Sequence, residues 1–274
     1  MESKMRSIAE QSGGELGGPI SVLTRQRRDH IRLAGYLEEL SRSAGTEQQR
    51  VLLSIYRLVF PHAFAEEAVL WPVIRRVLPD GDALTLRVER EHQAINELVR
   101  LMEGMPAGSA GRQAALERTA ELLAEDVRDE EDLLLPRLQA ALSPWQLRLL
   151  GILWEVVRRI APTRPHPIVS RRPPGNILSA LPLSVLDRLR DRIEAVLREG
   201  AGSAAPALHA AAKALGRASH AVERAPGFKL GEDPDTRVSD GSGGRHRTLT
   251  LALLAALAVG ATIMGQQRRT VRSA

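Results

Sequence analysis

The 274-residue sequence contains no cysteine. Disulfides, iron–sulfur clusters, thiolate zinc sites and thiol nucleophiles are thereby excluded, and histidine and carboxylate remain as the strong metal ligands. Aromatic residues are scarce, with three Trp, three Phe and two Tyr. That is too few to supply stacking platforms for single-stranded nucleic acid, and no nucleic-acid partner is expected. The opening stretch, residues 1–19, is glycine-rich around Ser12 to Gly18 and lacks an apolar h-region. It reads as a flexible leader without a signal peptide, which places the first domain in the cytoplasm.

Charge is unevenly distributed. Residues 20–142 carry 20 acidic against 16 basic side chains, whereas residues 143–274 carry 10 acidic against 20 basic. An acidic first module followed by a basic one suggests a metal-holding domain tethered to something anionic.

From residue 20 to 142 apolar residues recur at helical spacing, with breaks at Ser43 to Thr46, Pro79 to Asp82 and Gly104 to Gly111. Four helices fit between these breaks, at roughly 20–41, 47–78, 83–104 and 112–141. Short connections make neighbours antiparallel, and the expected fold is an all-α, antiparallel four-helix bundle. Ser143-Pro144 announces an extra helix over 143–160. Beyond it the sequence reads as a Pro-rich linker over 161–181, basic amphipathic and Ala-rich helices over 182–225, and a disordered tether over 226–247. Residues 248–267 carry no charge and are bracketed by arginines. At ~1.5 Å per residue they span roughly 30 Å, so the reading here is a C-terminal transmembrane helix. The corresponding localisation is the cytoplasmic membrane, with a single-pass anchor in the bacterial inner membrane.

An internal repeat exposes the chemistry. Asp29-His30 corresponds to Glu91-His92, and the segment from His62 to Pro72 aligns without a gap on the segment from Asp126 to Pro136. Two helical hairpins of one design occur in tandem, each with a ligand-type residue on its first helix and an i, i+4 pair on its second. On the second helix His62 and Glu66 fall in line with Ile55, Val59, Val69 and Val73. On the fourth, Asp126 and Glu130 fall in line with Leu116, Leu123 and Leu133, while His30 and His92 lie on the apolar stripes of the first and third. The first 142 residues hold three histidines, and all three occupy these core positions. Burying three carboxylates without compensation costs several kcal/mol or more each. Cations at the bundle centre offset that cost, and His30, His62, Glu66, His92, Asp126 and Glu130 form a donor set with room for two. Glu67 and Glu131, one residue on, turn about 100° away and read as exposed groups or as partners for the ligands' outer atoms. His166, His209, His220 and His246 have no partner spacing and read as linker or surface residues.

The order His30, His62-x3-Glu66, His92, Asp126-x3-Glu130 resembles the hemerythrin-like (HHE cation-binding) domain over about residues 20–142. The stretches Val59 to Glu67, Asp129 to Pro136 and Ala161 to Pro167 resemble an actinobacterial-type branch of that family. The resemblance implies two iron ions (Fe2+/Fe3+) in a non-haem di-iron centre and a small diatomic or peroxide ligand. The function it implies is oxygen, peroxide or nitric-oxide redox chemistry or sensing. A non-catalytic iron-binding or iron-sensing module, or a membrane adaptor with a vestigial site, is the alternative. The family's pattern has histidine where this sequence has Asp126.

Overall fold

The structure, a computed structural model, describes residues 5–238. Seven helices and no strand are present among the described residues. Helix α1 covers Val22–Ser41. Helix α2 runs through Gly45–Ala65, a π-helical turn at Glu66–Leu70 and Trp71–Val77. Helix α3 is Gly81–Glu103, and α4 repeats the design of α2 as Ala110–Asp129, a π-turn at Glu130–Leu134 and Leu135–Ala141. Helix α5 is Pro144–Ile160, α6 is Gly175–Gly200 and α7 is Ala205–Val222. Within the bundle α1 pairs with α2 and α3 with α4, the two hairpins expected from the repeat.

The two π-turns have a local cause. A proline stands two residues past the end of each one, Pro72 and Pro136. Proline has no N–H and its ring clashes with the carbonyl four residues earlier; a widened turn relieves both. The backbone N–H of Trp71 accordingly reaches back five residues to Glu66, and that of Leu135 to Glu130.

Two apolar clusters fill the bundle on either side of a polar layer. One is built on Leu33, Ile55, Ile95, Val99, Leu116 and Leu123. The other is built on Leu23, Leu70, Trp71, Ile74, Leu134, Leu138 and Trp154. At ~1.5–3 kcal/mol per fully buried large side chain, they provide the stabilisation against which a polar layer between them is tolerated.

The segments flanking the bundle are more ordered than their composition suggests. Ile8 and Leu16 of the leader are fully buried in the second cluster, and Gly17 and Gly18 take positive φ to turn the chain into α1. Helix α5 opens on a capping box between Ser143 and Gln146 and packs against α1 and α2. Its Gly151 lies so close to the start of α1 that an added Cβ would fall 2.0 Å from the Ile20 carbonyl oxygen. Gly151→Ala is expected to destabilise the protein by about 3 kcal/mol or more, read as a lower denaturation midpoint. A midpoint unchanged by this variant would contradict the close packing of α5 on α1.

The Pro-rich stretch is a strap rather than an extended linker. Residues 161–167 are buried, and Pro162, Pro165 and Pro167 bring no N–H donor that burial would leave unpaired. Three of the donors that remain are met by side chains: the Thr163 and Arg164 amides reach Asp187 at 3.0 and 3.1 Å, and the His166 amide reaches Asn96. The strap folds the α6–α7 hairpin back onto α3, and that hairpin has a core of its own around Leu183, Leu186, Ile193 and Leu215.

The expectations for the C-terminal part require correction. The described half of the tether is ordered: Pro226–Lys229 and Pro234–Thr236 are 3-10 turns, Thr236 is buried, and Ser170 and Gly175 donate to the Phe228 and Leu230 carbonyls. Among the described residues no helix is long and apolar enough to cross a membrane. The uncharged run at 248–267 and His246 lie outside the described residues. The described structure thus supports neither the expected C-terminal transmembrane helix nor the cytoplasmic-membrane localisation drawn from it.

Candidate metal centre

The polar layer between the two apolar clusters gathers all six residues singled out by spacing. His30 comes from α1, His62 and Glu66 from α2, His92 from α3, and Asp126 and Glu130 from α4. Each is at most 8% exposed, and Glu66 is fully buried. Their ligand-type atoms form two groups, one of His30, His62, Glu66 and Glu130 and one of His92, Asp126 and Glu130, each within 4.8 Å internally. Glu130 belongs to both.

All three imidazoles point the same way. Each turns Nε2 toward the central carboxylates: His30 to Glu130 at 3.2 Å, His62 to Glu66 at 3.0 Å, and His92 to Asp126 at 3.4 Å. Each turns Nδ1 outward to another carboxylate. His30 Nδ1 meets Glu131 at 3.0 Å, His92 Nδ1 meets Glu67 at 3.0 Å, and His62 Nδ1 meets Asp29 at 3.5 Å. Trp154 packs its edge against the His62 ring and Trp71 stacks on His92.

The π-turns explain how Glu67 and Glu131 take part. In a regular helix a residue next to an inward-facing one is rotated by about 100° and faces elsewhere. In the widened turns Glu66-Glu67 and Glu130-Glu131 both reach inward, the first of each pair to the centre and the second to a histidine. The pairing is crossed, since Glu67 of the first hairpin holds His92 of the second and Glu131 of the second holds His30 of the first.

Electrostatics follow from the geometry. Burial pulls the His30 imidazole down, but the bonds to Glu130 and Glu131 outweigh it and raise its pKa to about 9. His62 behaves alike, with Glu66 and Asp29 overcoming burial to bring it to about 10. His92 is raised well above the ordinary range against burial, chiefly by Asp126. Glu130 is pushed up to about 8 by burial and then by the charges of Glu66 and Asp126. Burial acts upward on Glu66 too, but His62, His92 and His30 hold it below the ordinary carboxylate value.

One corner breaks the symmetry. Asp29 and His62 form an attractive pair, and the repeat places Glu91 and Asp126 at the equivalent positions. Burial, then the charges of Asp126 and Asp129, push Glu91 up to about 7.

Whether the layer suits a cation is tested by its oxygens. Both carboxylate oxygens of Glu66, Oε1 of Glu130 and Oδ1 of Asp126 are buried without a well-aligned hydrogen bond, and two of them face imidazole nitrogens: Glu66 Oε1 lies 3.0 Å from His62 Nε2 and Asp126 Oδ1 3.4 Å from His92 Nε2. Buried polar atoms are ordinarily paired in good geometry, and four anionic oxygens without an aligned donor, converging with three imidazole nitrogens, fit a bound metal.

A buried His/carboxylate layer in an antiparallel bundle of two repeated hairpins is a donor set that could hold metal ions. Residues 19–138 match the family model described as the Hemerythrin HHE cation binding domain. An uncharacterized hemerythrin-like protein of Schizosaccharomyces pombe is 27% identical over 134 residues, which is 48% of this chain and 66% of that protein, a little under two thirds of its length. No solved structure matches the chain.

His166 was expected in a linker or on the surface, and the structure buries it. Its Nδ1 lies 3.0 Å from Glu223 and its Nε2 3.1 Å from Asp187, so it ties α6 and α7 together behind α3. Its partners follow it by 21 and 57 residues on other helices, and no local spacing signals them. His220 lies at the edge of the same cluster, against Arg100, and His209 is exposed.

Proposed function

We propose that the six clustered residues hold two metal ions and that these are iron, the metal hemerythrin-like domains usually bind. His30, His62 and Glu66 would hold one and His92 and Asp126 the other, with Glu130 shared. The role proposed for this centre is redox chemistry or sensing of dioxygen, peroxide or nitric oxide rather than oxygen storage. The carrying observation is the convergence of four buried carboxylate oxygens that lack a well-aligned hydrogen bond with three imidazole Nε2 atoms.

Two irons would supply one-electron chemistry toward a small oxygen or nitrogen ligand. The chain's own residues set the conditions for it. Donation of each Nδ1–H to a carboxylate leaves the Nε2 lone pair facing inward and makes it more basic. Trp71 and Trp154, both fully buried, close the layer to water on the side of the second cluster. Glu67→Gln and Glu131→Gln are each expected to weaken metal affinity by about 10- to 100-fold while leaving the fold intact, measured by competition with a chelator. Wild-type affinity in both variants would remove these glutamates from the centre.

Asp126 sets the redox character. A carboxylate in place of a neutral imidazole adds a negative charge to the donor set, which favours the ferric state and lowers the reduction potential. A centre that reoxidises readily is poorly suited to reversible oxygen carriage. Metal analysis of the purified chain is expected to find about two irons per chain, and Asp126→His to retain them, raise the midpoint potential and slow autoxidation. Wild-type protein that takes up and releases dioxygen through repeated vacuum cycles would instead be a carrier.

A further inference from the structure

A second site lies at the junction of α2, α5, the strap and α6, outside the polar layer. A cavity of about 470 Å³ opens there, lined by Arg57, Arg158, Arg159, Arg188 and Arg192. Two carboxylates, Glu155 and Asp191, share the lining and pair with three of these arginines, Glu155 with Arg158 and Arg159 and Asp191 with Arg57 at 3.5 Å. Glu155 takes bonds from Arg25, Arg158 and Arg159, and Asp191 from Thr163 and Arg164. Five guanidinium groups against two carboxylates leave a net charge of +3 in the lining.

Two of these arginines have no carboxylate of their own. Arg188 spends its donors on Ser184 Oγ and on the Arg159 and Ala161 carbonyls, neutral partners that orient the guanidinium without cancelling its charge. Arg192 is exposed and makes no ion pair or hydrogen bond among the described residues. The five come from three separate helices, so the convergence is a product of the tertiary fold and not of one basic run.

We propose that this cavity binds a compact polyanion of the phosphate or pyrophosphate type. The volume is that of a small-molecule site. Planar guanidinium forks match phosphate oxygens in pairs, and a ligand of charge −2 to −3 balances the lining. No aromatic ring lines the cavity, so nothing there would stack a nucleobase and the ligand recognised is the anionic group itself. The site adjoins the polar layer through Arg158, which lies 3.7 Å from Asp29, the residue that meets His62. It does not depend on the identity of any metal.

The test is calorimetric titration of the full-length chain with inorganic pyrophosphate at physiological ionic strength, in the wild type and in Arg57→Glu, Arg192→Glu and Arg118→Glu. Arg57 and Arg192 are exposed, so charge reversal there is compatible with folding. Arg118 is on α4 and does not line the cavity. Saturable 1:1 binding, weakened about tenfold or more by Arg57→Glu and by Arg192→Glu but within twofold of wild type in Arg118→Glu, is the expected result. Absence of saturable binding would overturn the proposal. So would equal affinity in all four proteins, since general charge attraction or extraction of metal by pyrophosphate would not distinguish Arg192 from Arg118.

Discussion

Glu130→Gln is expected to reverse its effect on stability when metal is removed. Glu130 is the residue common to both ligand groups, and its replacement by a neutral amide of the same shape should cost most of the bound metal. A metal at about 1,000 times its dissociation constant stabilises the folded state by ~4 kcal/mol, so its loss lowers the melting temperature by on the order of 10 °C. In the metal-free protein the sign changes. The folded pKa of Glu130 is raised from 4.5 to about 8. The folded state therefore binds the extra proton between those values, and wild-type metal-free stability falls as pH rises from 4.5 through 8. Glutamine carries no such penalty. Melting curves at pH 8 with and without chelator should show the variant far below wild type when loaded and at least equal to it when stripped. A variant inferior by the same margin in both conditions would mean that Glu130 serves packing alone.

His166→Ala is expected to loosen the α6–α7 hairpin from the bundle and to do so in a pH-dependent way. Removing one partner from a buried ionic cluster costs about 3 kcal/mol, because Asp187 and Glu223 are left facing each other without their shared cation. For a chain of this size that is roughly 6–12 °C in melting temperature. Burial pulls His166 down, but Asp187 and Glu223 overcome it and raise its pKa from 6.5 to about 9. A raised imidazole contributes fully below 6.5, and its contribution is lost as pH climbs through 9. Burial acts upward on Asp187 and Glu223 as well, yet His166 holds both below their ordinary values, so their contribution is present above the ordinary carboxylate range and lost only in stronger acid. The gap between wild type and variant should be widest between about pH 5 and 6.5 and close toward pH 10. A constant gap across that range would show that His166 acts by shape and not by charge.

The bundle and its six inward residues were readable because the signals are local: a 3.6-residue apolar stripe, an i, i+4 pair, and a repeat that set His62 and Glu66 against Asp126 and Glu130. For Glu67 and Glu131 the sequence leaves open an exposed position and a place against the ligands' outer atoms, although a signal for their inward turn is present. Pro72 and Pro136 recur at the same place in both repeats, and a proline in mid-helix requires a local departure from the regular turn. The strap was misread for a physical reason. Proline-rich composition signals an extended chain, but it also describes a segment with few donors to satisfy, which suits it to burial. The leader misled in a similar way, since its glycines outnumber Ile8 and Leu16, the residues that anchor it. The His166 cluster and the arginine cavity depend on side chains from helices far apart in sequence, and no periodicity within one segment reports them.

The crossed arrangement of the outer carboxylates bears on how such a centre arises. His30 is held by Glu131, 101 residues away, and His92 by Glu67, 25 residues away. Neither hairpin holds the histidine of its own first helix, so half of the domain is not half of a site. Two identical hairpins associating about a twofold axis would complete each other in this manner, each lending its second glutamate to the other's histidine. Joining the two copies in one chain then frees each to diverge, and the exchange of an imidazole for Asp126 in only one of them is a change that a strictly symmetric pair of chains could not make.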